Sequence, residues 1–282
     1  MLRTNKIYSL VILFLIVLSV LVWSGYFFET NTTSDARVYF LSVGQGDSSL
    51  IVWPGGRLTL IDVGPDSSVV SQLKLVLPFY RKDIDLVILT HLDADHIGGL
   101  DSLLSLYSVH EVWLPEYGSA DKFTKMEKLL TDKKLTYKKV VMGDYLTSGG
   151  ANLRVLSPYK DKIFSDDNDE AVATKFSFGQ EDFLFMSDLS QKAENFLLGR
   201  FGNILPSEVL KVGHHGSKNS SGDGFIEKVA PEYSILSFGE GNKYGHPNIE
   251  AVNILKHWSQ NIVNTLAGPV WFETDGSRIV IK

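Results

Sequence analysis

The sequence predicts an α/β fold of two sheets with helices outside them, carried behind one apolar N-terminal helix. Three observations lead there. From Arg37 onward, short strand-forming runs are punctuated by glycine and proline, as turns require. Each half of that region opens with strands and then alternates strand with helix, a pattern that stacks two sheets and puts helices on their outer faces. Before it, residues 7–28 form one uncharged apolar run. The chain has 282 residues, 44% apolar and 21% charged, a composition that supports a packed core. Its net charge of −6 excludes a protein that holds nucleic acid by field alone, so any such role has to rest on its site. There is no cysteine, which removes disulfides and cysteine-ligated metal sites and leaves the compartment open.

No charge occurs between Lys6 and Glu29. The run IYSLVILFLIVLSVLVWSGYFF matches the roughly 20 residues that cross a bilayer. Arg3 and Lys6 precede it, which places the N-terminus in the cytoplasm and the rest outside. Trp23 and Tyr26 fall where interfacial aromatics belong. The competing reading is a cleaved signal peptide, but Leu21-Val22-Trp23-Ser24-Gly25 makes a poor cleavage site. The expectation is a single-pass membrane anchor over residues 1–29, a polar linker over 30–36 and an extracytoplasmic hydrolase domain over 37–282. A protein secreted after signal cleavage is the alternative.

Along the domain, Val38–Val43, Ser49–Trp53 and Leu58–Asp62 read as strands. Ser67–Phe79 has helical spacing at Val69, Val70, Leu73, Val76 and Leu77. Leu86–Leu89 is wholly apolar, as a strand buried on both faces is. A helix at Gly98–Tyr107, a strand at Glu111–Leu114 and a helix at Lys122–Asp132 follow. Lys133, Lys134, Lys138 and Lys139 read as a solvated face. The second half begins with strands at Asn152–Leu156, Ala171–Phe178 and Asp182–Met186. It continues as helix (Gln191–Arg200), strand (Glu208–Val212), helix (Gly224–Val229), strand (Tyr233–Leu236) and helix (Ile249–Trp258). Strands at Ile262–Leu266, Val270–Glu273 and Arg278–Ile281 close it.

The chemistry concentrates in THLDADHIGG, Thr90–Gly99, where the strand Leu86–Leu89 ends. Ligands gather at the carboxyl ends of strands in open α/β sheets. His91, Asp93, Asp95 and His96 are four metal-ligating side chains within six residues. On an extended backbone His91 and Asp93 project the same way and can grip one ion, while Asp95 and His96 point apart from that pair and suit a second. Imidazole with carboxylate favours zinc or manganese over magnesium or calcium. An acidic turn with helix-capping aspartates is the competing reading; two histidines beside the two aspartates weigh against it. Asp62 ends a strand and can accept a hydrogen bond from a ligand histidine, or merely cap the turn before Gly64. His214 and His215 follow another strand and precede Gly216. Adjacent side chains diverge, so His215 is favoured as a ligand and His214 as a substrate contact.

These residues resemble a known signature. THLDADH is similar to the His-x-His-x-Asp-His string of metallo-β-lactamase superfamily hydrolases, with Asp93 in place of the second histidine. That replacement is the form in the extracellular hydrolase domain of ComEC-type competence proteins. VGQGDSSLI (43–51), IDVG (61–64), KVGHHGS (211–217) and YGHP (244–247) resemble further motifs of that branch, in order. The resemblance spans about Val38 to Pro247. It implies a four-layer αββα sandwich and two divalent ions, zinc or manganese. Asp188 would bridge them, and a hydroxide shared between them would act on a phosphodiester or nucleic acid. His246 becomes a second-site ligand or the donor of a proton to the leaving oxygen. Asp95, Asp62 and His214 complete the catalytic set. A separate multi-span DNA-uptake channel is the implied partner, since one span cannot form a channel.

Two departures matter. Ser187 stands where the family usually has glycine. Asn168-Asp169-Glu170-Ala171 replaces an Asn-Asn-x-Ser stretch, losing a hydroxyl and adding acidic charge that repels a polyanion. The same site could serve another ester, such as an envelope phosphocholine ester, a lactone or a β-lactam, the last disfavoured by Asp93. A binding module without chemistry is a third reading. The sequence does not set the oligomeric state.

Overall fold

The structure, a computed structural model, describes the backbone of residues 2–31, 34–161 and 164–282, and within the first helix the side chains of 8–22. Thr32 and Thr33 of the linker lie outside the described residues, as do the side chains of Arg3, Lys6, Trp23 and Tyr26. Helix α1 (Leu2–Asn31) carries exposed apolar side chains from Tyr8 to Val22. That described part is shorter than the roughly 20 residues a bilayer takes, and among the described residues no helix is long and apolar enough to cross a membrane.

The first half runs β1 (Ala36–Phe40), β2 (Ser49–Val52), β3 (Leu58–Ile61), α2 (Ser68–Val76), β4 (Asp83–Ile88), α3 (Ala94–Ile97), α4 (Leu100–Leu106), β5 (Ser108–Pro115), α5 (Ala120–Asp132) and β6 (Thr136–Val140). The second runs β7 (Tyr145–Ser148), β8 (Ala151–Val155), β9 (Thr174–Phe178), β10 (Glu181–Phe185), α6 (Gln191–Phe201), β11 (Val209–Lys211), α7 (Asp223–Val229), β12 (Tyr233–Leu236), α8 (Ile249–Trp258), β13 (Asn261–Asn264), β14 (Val270–Thr274) and β15 (Ile279–Ile281). One sheet has the order β15-β14-β1-β2-β3-β4-β5-β6, the other β13-β12-β11-β10-β9-β8-β7. In the first, β3 to β6 are parallel neighbours; in the second, β10 to β13 are. A parallel pair needs a crossover, and the helices α2 to α8 supply it. β1 pairs antiparallel with both β2 and β14.

Three cores hold four layers together. Between the sheets lie Val38, Phe40, Trp53, Leu86 and Ile88 from one side and Phe176, Phe183, Phe185 and Val209 from the other. Outside the first sheet, Leu60, Val87 and Val112 pack on Val69, Leu73, Leu103 and Phe123 of the helices. Outside the second, Leu184 and Leu210 pack on Ala193, Leu197, Phe225, Ile226 and Leu255. The C-terminal halves of β4 and β10, Leu86–Ile88 and Phe183–Phe185, therefore feed apolar side chains in both directions, which is why these stretches are wholly apolar. Trp53 fills the inter-sheet layer edge-on to Phe176, ring centroids 5.0 Å apart, while its indole N–H donates to Thr59 Oγ1 at 2.9 Å. A buried indole left without an acceptor would cost stability.

The edges differ from expectation. β6 and β7 are the edge strands of the first and the second sheet and add to the predicted elements; TYKKV and YLTS lack an apolar face and so carry no strand signal. Lys138 and Lys139 sit on β6, where charge blunts an open edge; they pair with Asp144 at 2.7 Å and Glu127 at 2.9 Å. β9 begins at Thr174 and not at Ala171, because residues 168–170 form a 3₁₀ turn. A short helix, α3, already starts at Ala94, inside the THLDADH motif.

Candidate metal centre

Each parallel strand near the middle of its sheet ends in a chemically active residue. Asp62 follows β3, His91 follows β4, Asp188 follows β10, and His214 and His215 follow β11. The two sheets thus deliver their strand ends to one place, the usual position for a site in open α/β sheets. The backbone is strained there: Asp62 (φ 59°), Ser187 (φ 50°), His214 (φ 47°) and His215 (φ 55°) are all left-handed. Such conformations cost roughly 1–3 kcal/mol each and persist where surrounding bonds hold them. Asp62 N–H donates to Ile88 O at 2.8 Å, and His214 N–H to Ser187 O at 2.9 Å. At Gly46 an added Cβ would lie 2.2 Å from Asp95 O, so the Gly-Gln-Gly-Asp turn reaches the site only with glycine.

Asp95, His96, Asp188 and His215 converge, one donor atom from each lying within 4.8 Å of the others. His96 Nε2 is 3.4 Å from Asp188 Oδ1 and 4.0 Å from Asp95 Oδ2. His215 Nε2 is 3.4 Å from Asp95 Oδ2 and 3.8 Å from Asp188 Oδ2. A tetrahedral ion with bonds of about 2.1 Å sets its donors about 3.4 Å apart. His96 Nε2, His215 Nε2 and Asp188 Oδ1 are buried without hydrogen-bond partners, a costly state unless something accepts them. Burial works against charge on both histidines, yet Asp188 outweighs it, raising His96 and, together with Asp47, pushing His215 up to about 10. Burial likewise opposes charge on Asp188, but His96 and His215 hold its carboxyl well below the usual range. Such a pocket is short of positive charge, and its donor set fits a divalent cation of the zinc or manganese kind.

The other side chains arrange around this cluster. Asp62 takes Thr90 N–H on Oδ1 (2.8 Å), and Thr90 Oγ1 (2.7 Å) and His96 Nδ1 (2.8 Å) on Oδ2, turning the opposite ring nitrogen toward the cluster. His91 lies beside His96 with ring centroids 4.1 Å apart and the rings tilted by 52°, and keeps Nε2 buried and unpartnered. Burial, with His96 beside it, lowers its pKa. Asp93 Oδ1 accepts from Lys122 Nζ at 2.5 Å. His214 Nε2 is 3.7 Å from Asp188 Oδ2 with its ring 29% exposed, whereas His215 is buried. His246 faces His214 at 5.6 Å and is stacked under the exposed Tyr244. Asn242 fixes that turn, donating to His246 O at 2.6 Å and accepting from His246 N–H at 3.1 Å.

Four supporting residues escaped sequence reasoning. Lys211 Nζ forms a buried ion pair with Asp47 at 2.7 Å, and Asp47 Oδ1 lies 3.3 Å from His215 Nδ1. Ser187 Oγ donates to Thr90 Oγ1 at 2.7 Å, which ties the Asp188 loop to the Asp62 network. Lys122 was read only as the start of a helix. Asp47 and Lys211 lie in the motifs VGQGD and KVGHH, which signalled importance without a role.

A four-layer αββα fold with this cluster at the strand ends defines a metallohydrolase. Residues 41–240 match the family described as Metallo-beta-lactamase superfamily, and the chain belongs to it. It is 32% identical over 251 residues to ComE operon protein 3 of Bacillus subtilis, covering 83% of this chain and 32% of that protein. It is 27% identical over 249 residues to Competence protein ComA of Neisseria gonorrhoeae, covering 86% of this chain and 33% of that one. The chain thus spans about a third of the length of these relatives. Among solved structures, the metallo-beta-lactamase fold protein YhfI of Bacillus subtilis aligns with a TM-score of 0.60 at 16% identity, over 85% of this chain and 100% of that one. Tm1679, a metal-dependent hydrolase of the beta-lactamase superfamily, aligns at 0.53 with 19% identity, over 84% and 98%. At these identities the likeness speaks for the fold.

Proposed function

We propose that the chain is a metal-dependent phosphodiesterase that cleaves DNA outside the cell membrane, to which α1 anchors it. The observation that carries the chemistry is the cluster of Asp95, His96, Asp188 and His215 with its unpartnered buried atoms. The similarity to competence proteins supports DNA as the substrate class, and a separate multi-span DNA-uptake channel as a partner. The exposed apolar side chains from Tyr8 to Val22 on α1, and Arg3 and Lys6 ahead of them in the sequence, support the membrane placement, with secretion after cleavage as the alternative.

Two divalent ions, zinc or manganese, would suit the residues: Asp95, His96, Asp188 and His215 would hold one, and His91 and Asp93 would serve a second. Such ions make water nucleophilic near neutral pH and take up charge that develops on phosphoryl oxygens. The chain's own groups do the rest. Asp62 orients His96 through its Nδ1, and the Ser237 carbonyl, 3.0 Å from His215 Nδ1, orients His215. His214, partly exposed beside Asp188, meets the substrate. Burial, and then nearby His214, lowers the pKa of His246, which faces His214 as a second-site ligand or as the donor of a proton to the leaving oxygen.

A second reading rests on charge. Asp167 lines a small cavity together with His91, and Asp166 precedes it in the acidic stretch, which favours a smaller ester over a polyanion. The test uses the full chain in detergent, with linear DNA and a simple phosphodiester, in Mn²⁺ or Zn²⁺ and in EDTA. Metal-dependent cleavage that falls about a hundredfold or more in Asp188→Ala is expected. No cleavage by protein that holds its metal would sink the nuclease reading and turn attention to phosphocholine esters and lactones.

A further inference from the structure

Asp93 occupies a ligand position of the motif, and its carboxylate is already taken. Lys122 Nζ lies 2.5 Å from Asp93 Oδ1 and 3.2 Å from Asp167 Oδ2. The ammonium comes from α5, an element that carries none of the other site residues, and bridges two carboxylates. Lys122, Asp167 and His91 line one small cavity. Into it faces His91, 2% exposed, whose Nε2 has no partner. The four-donor cluster has no such competitor: no lysine or arginine bonds to Asp95 or Asp188 among the described residues. One side of the centre is therefore open to a cation, while the other already holds a cation supplied by the protein itself.

We propose that Lys122 is an internal competitor for the second metal ion and makes the centre load in two unequal steps. This rests on the metal-centre reading above and on no particular substrate. The first ion enters at Asp95, His96, Asp188 and His215. The second needs Asp93, and must displace the ammonium. A lysine suits this use, because its charge rides on a flexible stem and is not locked by bidentate geometry. Asp167 gives the ammonium a partner to retain when it leaves Asp93. Lys122, Asp93 and Asp167 are each more than a third exposed, so water reaches the pair and the exchange requires no opening of the core. While Lys122 remains on Asp93 its charge also repels a divalent ion at His91. Metal availability then sets whether the centre holds one ion or two.

The experiment is a Mn²⁺ titration of the metal-stripped full chain in detergent, read by calorimetry and by electron paramagnetic resonance, with no hydrolysis assay. In the wild type one ion binds tightly and a second more weakly. Lys122→Met tightens the second ion by about fivefold, leaves the first unchanged, and brings the spin-coupled signal of a manganese pair to lower metal concentration. Lys122→Arg keeps the charge and can grip Asp93 bidentately, so the second ion binds no tighter than in wild type. Asp167→Asn removes the fallback partner and shifts the second ion the other way, toward weaker binding, so the idea stays testable if Lys122→Met does not fold. Equal affinity for both ions in the wild type, or a second-ion affinity untouched by Lys122→Met and Asp167→Asn, overturns the role of Lys122 alone. No bound manganese at all would remove the metal centre itself.

Discussion

At Asp62 three donors meet one buried carboxylate, and each contact fixes something different. Thr90 N–H and Thr90 Oγ–H hold the carboxylate in place, and His96 Nδ1 is held by it in turn. Asp62→Asn would turn an amide N–H₂ toward one of those donors, so His96 would lose its orientation while the fold survived. Metal affinity should fall about 10- to 100-fold; metal content after dialysis against a graded chelator would measure it, and unchanged retention would refute the role. This much was legible in the sequence, since an acid at a strand end beside a histidine-rich turn has few other uses. The Asp47–Lys211 pair was not. Its members are 164 positions apart, and no local pattern tells that a lysine on β11 will be buried against the turn after β1. Nor did spacing tell that Asp93 would face α5, because the direction of one side chain depends on which element arrives beside it.

At the scale of the element, α6 anchors the loop that follows the two adjacent histidines. Glu194 on α6 accepts Ser221 N–H at 2.7 Å and Gly222 N–H at 2.8 Å. Its burial, the largest effect, outweighs these bonds and raises its pKa to about 7, with Asp169 adding to the rise. The folded chain therefore keeps a proton on Glu194 between about pH 4.5 and 7, where the unfolded chain has released it. Stability from this group is full below that window and is lost as pH rises through it, by roughly 3 kcal/mol. Urea unfolding at pH 5 and pH 8 should show that loss, and Glu194→Gln should flatten it; equal slopes in both proteins would refute it. The elements themselves were legible where one face or both were buried: β4, β10, α2 and α8 follow their apolar patterns. β6 and β7 were not, because an edge strand is stabilised by backbone pairing on one side and needs no apolar face.

Across the whole molecule the inter-sheet core bears the packing. Phe183 is fully buried, 6.0 Å from Phe176 and 6.1 Å from Phe272, and so touches strands of both sheets. Phe183→Ala should cost about 3–5 kcal/mol, read as a lower urea midpoint with unchanged slope; a loss under 1 kcal/mol would mean the layers close over the gap. Two sheets with outer helices could be read from the repeated order of elements in the two halves. The pairing of β14 and β15 with the first sheet could not, since these strands follow the second half in sequence. That pairing governs how the chain is made. β1 has a partner on one side as soon as β2 exists, but its other edge waits for β14, with Arg37 meeting Glu273 across 236 positions. Contacts so distant form slowly, and an open strand edge invites pairing with other chains. During synthesis the first sheet therefore spends nearly the whole elongation time with an unsealed edge, and the domain closes only when its last strands emerge.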